Sequence, residues 1–67
     1  MNFITANGEK IPAEKSCSLH DFLVQRDLPP RSVVVELNGE AVAPSEFSTR
    51  QVQPGDRLEI VQIVAGG

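Results

Sequence analysis

Two Asn-Gly dipeptides, at residues 7–8 and 38–39, constrain the fold of this chain more than any other feature. Asn and Gly both tolerate a positive φ, which a tight two-residue hairpin turn requires at its two central positions. Apolar and β-branched residues precede each dipeptide, so each is expected to join two antiparallel strands. The predicted strands cover residues 1–6, 9–13, 32–38 and 40–43.

One helix is predicted between the two hairpins. Ser18 is a favoured N-cap residue, and Asp21, three positions later, completes a variant of the capping box. The apolar positions that follow share one helix face: Leu19, Phe22 and Leu23. The helix is expected to span about nine residues and to end before Pro29-Pro30, because a residue that precedes proline is pushed out of the helical region.

The second half of the chain adds further elements. Residues 44–47 are expected to form a short helical turn that tucks Phe47 inward, and residues 53–56 to form a turn with Pro and Gly in favoured positions. A final strand is predicted over residues 57–64. In residues 32–38 the odd-numbered positions are apolar and share one face, so this segment is expected to be a central strand.

The order of elements is strand, strand, helix, strand, strand, strand, and it favours an α+β fold of the β-grasp (ubiquitin-like) type. The first and last strands would pair in parallel at the centre of a mixed four- to five-stranded sheet, with the helix packed on one face. Residues 1–67 are expected to form one domain, which is too short to enclose a sizeable active site. Residues 64–67 are expected to be a flexible C-terminal tail.

The composition argues against several classes of function. The net charge of −3 disfavours nucleic-acid binding, which needs clustered Lys and Arg against the phosphates. A membrane helix needs about 20 consecutive apolar residues, and the chain contains no such run and no signal-peptide core. Cys17 is the only cysteine, so no internal disulfide can form, and a reducing, cytoplasmic location is expected.

The last predicted strand runs into Gly66-Gly67, and the free carboxylate of Gly67 is the expected reactive group. A carboxylate is a poor electrophile at neutral pH, but a nucleotide-dependent partner can activate it as a mixed anhydride with AMP. A sulfur, thiol or amine nucleophile can then displace the AMP. Glycine suits entry into another protein's active site, since it has no Cβ to block a narrow channel. The carboxylate would thus react in the active site of another protein; the alternative is that Gly66-Gly67 is a frayed end without a role.

Five segments together match a known family: Asn7-Gly8, 19–23, 35–40, 55–60 and 64–67. On these segments the chain resembles the ubiquitin-like sulfur carriers, and most closely those of thiamine biosynthesis. Gly-Asp before the last strand, combined with a terminal Gly-Gly, is the most specific part of the likeness. The pair Ala43-Pro44 departs from it, because family members tend to place this proline one residue earlier.

The resemblance implies a reaction sequence. An E1-like adenylyltransferase would use ATP and magnesium to adenylate the carboxylate of Gly67, so the carrier itself would bind no cofactor and no metal. A sulfur donor such as a cysteine desulfurase would convert the adenylate to a thiocarboxylate. The thiocarboxylate would then donate its sulfur to thiazole synthase. Gly66 and Gly67 are the residues that this chemistry would use.

A partner-binding patch is predicted beside the last strand. If Leu58 and Ile60 face the core, alternation turns the residues between and after them outward. Two exposed apolar residues would then lead into the tail, with a third beside them on the neighbouring strand. The predicted partner-binding residues are Val34, Glu36, Glu59, Val61, Ile63, Val64 and Ala65.

Cys17 and His20 are the other residues whose side chains suggest chemistry. Cys17 precedes the helix cap and is expected to fill space as a small apolar residue. His20 has no Cys or carboxylate cluster at metal-ligand spacing around it, so it is expected to be solvated, and no metal site is predicted. The glycine-containing turns lack the Lys-Ser or Lys-Thr of a phosphate loop.

Three alternatives remain at this point. The small subunit of molybdopterin synthase has the same kind of tail and chemistry, but those chains tend to be longer and often carry Pro-Pro where this chain has Gln62-Ile63. A ubiquitin-like interaction module whose tail is never activated would share the fold. An independent enzyme is disfavoured by the size of the chain and by the lack of a catalytic cluster.

Overall fold

The structure is a computed structural model in which residues 2–63 are described. Its strands are β1 (Phe3–Ala6), β2 (Glu9–Pro12), β3 (Cys17–Ser18), β4 (Val33–Leu37), β5 (Glu40–Val42), β6 (Gln51–Val52) and β7 (Arg57–Gln62). The helix is α1 (Leu19–Gln25), and short 3-10 turns cover Pro30–Ser32 and Pro44–Glu46. Met1 and the predicted tail, residues 64–67, lie outside the described residues.

Both Asn-Gly dipeptides form the predicted hairpin turns. Asn7 and Gly8 have φ values of 51° and 82°, and Asn38 and Gly39 have values of 52° and 85°. A type I′ turn requires this left-handed backbone at both central positions. The first turn joins β1 to β2 and the second joins β4 to β5, each as an antiparallel pair.

Five strands form one mixed sheet in the order β2-β1-β7-β4-β5. β1 and β7 are parallel neighbours at its centre, and the other pairs in this sheet are antiparallel. The α+β, β-grasp fold class is thus confirmed, with five strands in the mixed sheet and one α-helix among the described residues. The last strand is shorter than predicted and ends at Gln62.

The core lies between this sheet and α1. In β4 the three odd-numbered residues are buried and the two even-numbered ones are exposed, as predicted. β7 buries Leu58 and Ile60 and exposes its other residues. The apolar stripe of α1 packs onto these strands, and Phe47, which follows a 3-10 turn, is also buried. The sheet therefore has a core face and an outer face, the outer face being the one that points away from α1.

The start of the helix is fixed by one predicted contact and two unpredicted ones. The Oγ of Ser18 accepts a hydrogen bond of 3.0 Å from the N–H of Asp21, as expected of an N-cap. The N–H groups of the first two helical residues donate to the carbonyl oxygens of Arg50 and Phe47, at 2.8 and 2.9 Å. These bonds satisfy donors that a helix start otherwise leaves without partners.

A second, two-stranded sheet was not predicted. β3 pairs with β6, and Cys17 lies opposite Val52 in the register. This pairing ties the segment before α1 to the segment before the last turn. Strands of two residues show no alternation of apolar and polar positions, so the sequence carries no periodic signal for them.

The helix is shorter than predicted. It has seven residues and not about nine, and it ends at Gln25, before Pro29-Pro30. Asp27 adopts a φ of 59°, and the N–H of Leu28 donates to the carbonyl of Leu23 at 2.9 Å, which together form a Schellman ending. Glycine usually holds this left-handed position, so Asp27 gave no clear stop signal. In the described part of the chain, no helix has the length and apolar character needed to cross a membrane.

Candidate functional site

β7 is the strand on which the candidate site is built. It is the central strand of the five, with β1 on one side and β4 on the other, and residues 64–67 follow it in the sequence. The N–H of Ile63 donates to the carbonyl of Ser32 at 2.7 Å, so pairing on the β4 side continues to the last described residue. The predicted site residues that lie outside the described residues are Val64, Ala65, Gly66 and Gly67.

Two valines form an apolar pair on the outer face. Val34 and Val61 lie directly opposite each other in the β4–β7 register, and their side chains are 51% and 63% exposed. Ile63 follows β7 and is 53% exposed. Alternation along β7 thus turns Val61 outward as expected, and the structure brings it next to Val34. The role of these residues in partner binding stays a prediction.

An acidic pair lies beside the apolar pair. Glu36 is directly opposite Glu59 in the same register, and both side chains are exposed. The ion pairs found among the described residues involve other carboxylates. Like charges directly opposite each other destabilise a sheet, so this pair is expected to have a small local cost.

Glu59→Gln is expected to stabilise the fold by about 0.5 kcal/mol at low ionic strength, because it removes one charge of the acidic pair. The gain is expected to shrink as salt is added, since salt screens exposed charges. Urea denaturation of both proteins at two salt concentrations measures it. Glu14→Gln, in the loop between β2 and β3, makes the same change in net charge away from the pair. An equal gain in both variants would show that net charge, and not the pair, is responsible.

Cys17 lies apart from the outer face, at the edge of the core. Burial raises the pKa of its thiol above the ordinary value, and the negative charge of Asp21 raises it further. The thiolate is the reactive form of cysteine, so this environment makes the side chain a weak nucleophile at neutral pH. Cys17 also lines an open groove of about 650 Å³ beside β2 and α1. These features agree with the expected space-filling role.

The rate of Cys17 alkylation by iodoacetamide is expected to rise with pH around a midpoint above that of an unfolded cysteine. Asp21→Asn is expected to lower the midpoint, because it removes a negative charge that opposes thiolate formation. The Ser18 cap survives this change, since its donor is the backbone N–H of Asp21. The same protein unfolded in urea supplies the reference. A folded-state midpoint below this reference would contradict the expectation.

His20 contacts a single carboxylate. Its Nδ1 lies 3.5 Å from Oδ1 of Asp21, and both side chains are about half exposed or more. Within residues 2–63, no group of three or more His, Cys, Asp or Glu residues lies close enough together to hold a metal ion.

Two asparagines that sequence reasoning treated only as turn residues hold β7 in place. The side chain of Asn7 makes two hydrogen bonds to the backbone of Ile60, which is 53 residues away in the sequence. The side chain of Asn38 accepts a hydrogen bond of 2.9 Å from the N–H of Arg57. The Asn-Gly dipeptide predicts the turn, but it contains no information about hydrogen-bond partners that are distant in the sequence. The contacts of the two asparagine side chains with β7 could therefore not be predicted.

Comparisons with known proteins show which family the chain matches. The ThiS family matches residues 3–67. A protein of Paramagnetospirillum magneticum (strain ATCC 700264 / AMB-1) named thiazole synthase is 34% identical over 64 residues, which are 96% of this chain; the chain spans 20% of that relative's length. The uncharacterized protein ycf40 of Pyropia yezoensis is also 34% identical over 64 residues, covering 96% of this chain and 90% of the relative.

Solved structures give the same result. The crystal structure of the thiamine biosynthesis protein (ThiS) from Geobacter metallireducens matches with a TM-score of 0.83 and 28% identity, over 97% of this chain and 99% of that one. The solution structure of a thiamine biosynthesis protein from the same organism matches with a TM-score of 0.77. Since the family covers nearly every residue and the fold is shared, the chain belongs to the ThiS family of ubiquitin-like sulfur carriers.

Proposed function

We propose that this chain is a sulfur carrier in thiamine biosynthesis and that Gly67 supplies the carboxyl group that carries the sulfur. The main support is the match to the ThiS family over residues 3–67, which includes Gly66 and Gly67. A solved relative is itself named a thiamine biosynthesis protein. In this proposal the chain is a co-substrate that other proteins modify, and it catalyses no step.

The proposed chemistry begins by giving the carboxylate a leaving group. An E1-like adenylyltransferase transfers AMP from ATP to the Gly67 carboxylate and releases pyrophosphate. A persulfide, supplied by a donor such as a cysteine desulfurase, then displaces the AMP and forms an acyl disulfide. A thiol cleaves this acyl disulfide, which releases the thiocarboxylate and leaves a disulfide on the donor side. ATP and magnesium are bound by the activating enzyme, so the carrier needs no cofactor of its own.

Thiazole synthase is the proposed acceptor of the sulfur. One relative that matches 96% of this chain is named thiazole synthase, and most of its length lies beyond the match. A carrier-like sequence within a protein of that name supports a close working relation between the two activities. The ThiS family match favours this pathway over molybdopterin synthesis, the nearest rival.

The outer face is the proposed docking surface for these partners. The apolar pair consists of Val34 on β4 and Val61 on β7, the strand that leads to residues 64–67; both residues are exposed, and the acidic pair adjoins them. A partner surface that is apolar with basic residues at its edge would bury the valines and neutralise the glutamates. Docking here would bring the segment after β7 to the partner's active site.

Replacing both valines of the apolar pair by serine is expected to weaken binding to the activating enzyme by about tenfold or more, because apolar area is no longer buried on docking. The fold should persist, since both side chains are more than half exposed. Isothermal titration calorimetry measures the affinity. Val24→Ser is the matched control, because Val24 is 52% exposed but lies on α1, away from the outer face. Equal losses in the two variants would remove the docking assignment.

Intact-mass analysis tests the proposed function directly. The chain is incubated with the activating enzyme, ATP, magnesium and a sulfur donor, and then weighed. Replacement of one oxygen by sulfur is the expected change, located by fragmentation at Gly67. The same spectrum checks that Gly67 is the terminal residue. A chain that binds the activating enzyme but never gains sulfur would instead be the interaction module considered above.

A further inference from the structure

The side chain of Asn7 continues the central pairing of the sheet past the end of β1. The backbone N–H of Asn7 donates to the carbonyl of Leu58 at 2.9 Å, as the parallel β1–β7 register requires. The chain then turns away from β7. At this point the side-chain Nδ2 donates to the carbonyl of Ile60 at 2.9 Å, and the N–H of Ile60 donates to Oδ1 at 2.7 Å.

The two side-chain bonds replace a step of backbone pairing. In a parallel pair of strands, the next hydrogen bonds to Ile60 would come from backbone groups further along β1. Asn7 has a φ of 51° and leads directly into the hairpin turn, so those backbone groups are turned away. The carboxamide presents one donor and one acceptor in their place. Ile60 is thereby held on both sides, although β1 has already ended.

This contact sets the last point at which β7 is held from both sides within the described residues. Beyond Ile60, β7 is paired on the β4 side alone among the described residues, through Val61 and Gln62 and then through the hydrogen bond from Ile63 to Ser32. The apolar pair includes Val61, which directly follows Ile60. Asn7 therefore supplies the support on the β1 side that lies nearest to Val61 and to the end of β7.

We propose that Asn7 is a positioning residue for the carrier reaction, a role that rests on the function proposed above. By fixing Ile60, it holds Val61 on the outer face and keeps Ile63, the last described residue, in one position. Without the two bonds, the end of β7 would sample several positions, and only a fraction of molecules would be ready to dock. A smaller competent fraction raises the apparent dissociation constant but leaves the rate of the bound complex unchanged.

Asn38 supplies a matched control within the same chain. It occupies the same position of an Asn-Gly turn, with a φ of 52°, and it also bonds to β7 through its side chain. Its contacts are to the N–H of Arg57 at 2.9 Å and to Oδ1 of Asp56 at 3.1 Å. They hold the first residue of β7, at the end of the strand opposite to Val61.

Glycine is the suitable replacement at both positions. It adopts a positive φ without strain, so the turn keeps its backbone and only the side-chain hydrogen bonds are lost. Alanine would add strain at each turn and confuse the comparison. Asn7→Gly and Asn38→Gly therefore differ chiefly in which end of β7 is released.

Amide hydrogen exchange tests the positioning without any partner. In Asn7→Gly, amide exchange at Ile60, Val61 and Ile63 is expected to accelerate at least about fivefold more than amide exchange at Val35. A factor of about five corresponds to the net loss of one hydrogen bond. Val35 is buried in β4 and reports on global unfolding. Asn38→Gly is expected to spare these three amides. Equal acceleration at all four amides in Asn7→Gly would overturn the proposal.

Steady-state adenylation by the activating enzyme tests the consequence for function. Asn7→Gly is expected to raise the KM for the carrier about fivefold or more, with kcat changed by less than about twofold. Asn38→Gly is expected to keep the wild-type KM at a temperature where both variants are folded. If the wild-type chain is adenylated and both variants share its KM, the positioning role of Asn7 is refuted and the proposed function stands. If the wild-type chain is never adenylated, the proposed function fails and this role fails with it.

Discussion

Removal of Gly67 is expected to abolish conversion to the thiocarboxylate, with a loss of at least about 100-fold in rate. The shortened chain still ends in a glycine carboxylate, so its chemistry is unchanged. Its reach is shorter by about 3.5 Å, the span of one extended residue. A displacement of about 1 Å in an active site already costs about 100-fold. Intact-mass analysis after incubation with the activating enzyme, ATP and the sulfur donor measures the product.

A companion chain shows why activity is lost. A chain with a C-terminal carboxamide on Gly67 keeps the full length but lacks the carboxylate, so it should also be inert. Neither change touches residues 2–63, which carry the core, so the thermal unfolding midpoint should stay at the wild-type value. Normal thiocarboxylate formation in the shortened chain would place the reactive group elsewhere and remove the basis of the proposed function.

The proposed role of residues 64–67 rests on the sequence and on family membership, whereas the proposed docking surface rests on the structure. Alternation within β4 and β7 was sufficient to predict which residues face outward. The sequence suggested Val34 beside the exposed residues of the last strand, but it could not specify that Val34 lies directly opposite Val61 and that Glu36 lies directly opposite Glu59. A face follows from the period of a single strand, but a pairing depends on the register between two strands.

The features missed by sequence reasoning share a physical cause. The β3–β6 pair, the two backbone bonds that hold the start of α1 and the contact from Asn7 to Ile60 all join segments that are distant in the sequence. Local patterns report on turns, caps and apolar periods, and these were mostly predicted correctly. The helix end was the local exception, because Asp27 adopts a backbone conformation that glycine normally marks.

Leu58→Ala is expected to lower the free energy of unfolding by about 3 kcal/mol, because it leaves a cavity in the centre of the core. Leu58 is fully buried, with 0% exposure, and lies on the central strand between β1 and β4. A domain of 67 residues has a total stability of about 3–10 kcal/mol, so the loss is a large share of it. The thermal midpoint should fall by more than about 10 °C. Calorimetry or circular dichroism measures both quantities.

Val61→Ala is the matched control, because Val61 is on the same strand but on the opposite face. Its side chain is mostly exposed, so truncation should cost less than about 1 kcal/mol. When binding to the activating enzyme is measured, the order of the two variants should be reversed. Leu58→Ala, studied cold enough to remain folded, should bind the activating enzyme as the wild type does, whereas Val61→Ala should bind more weakly. Similar losses of stability in both variants would mean that the faces of β7 are assigned wrongly, since a shift of one residue in register exchanges them.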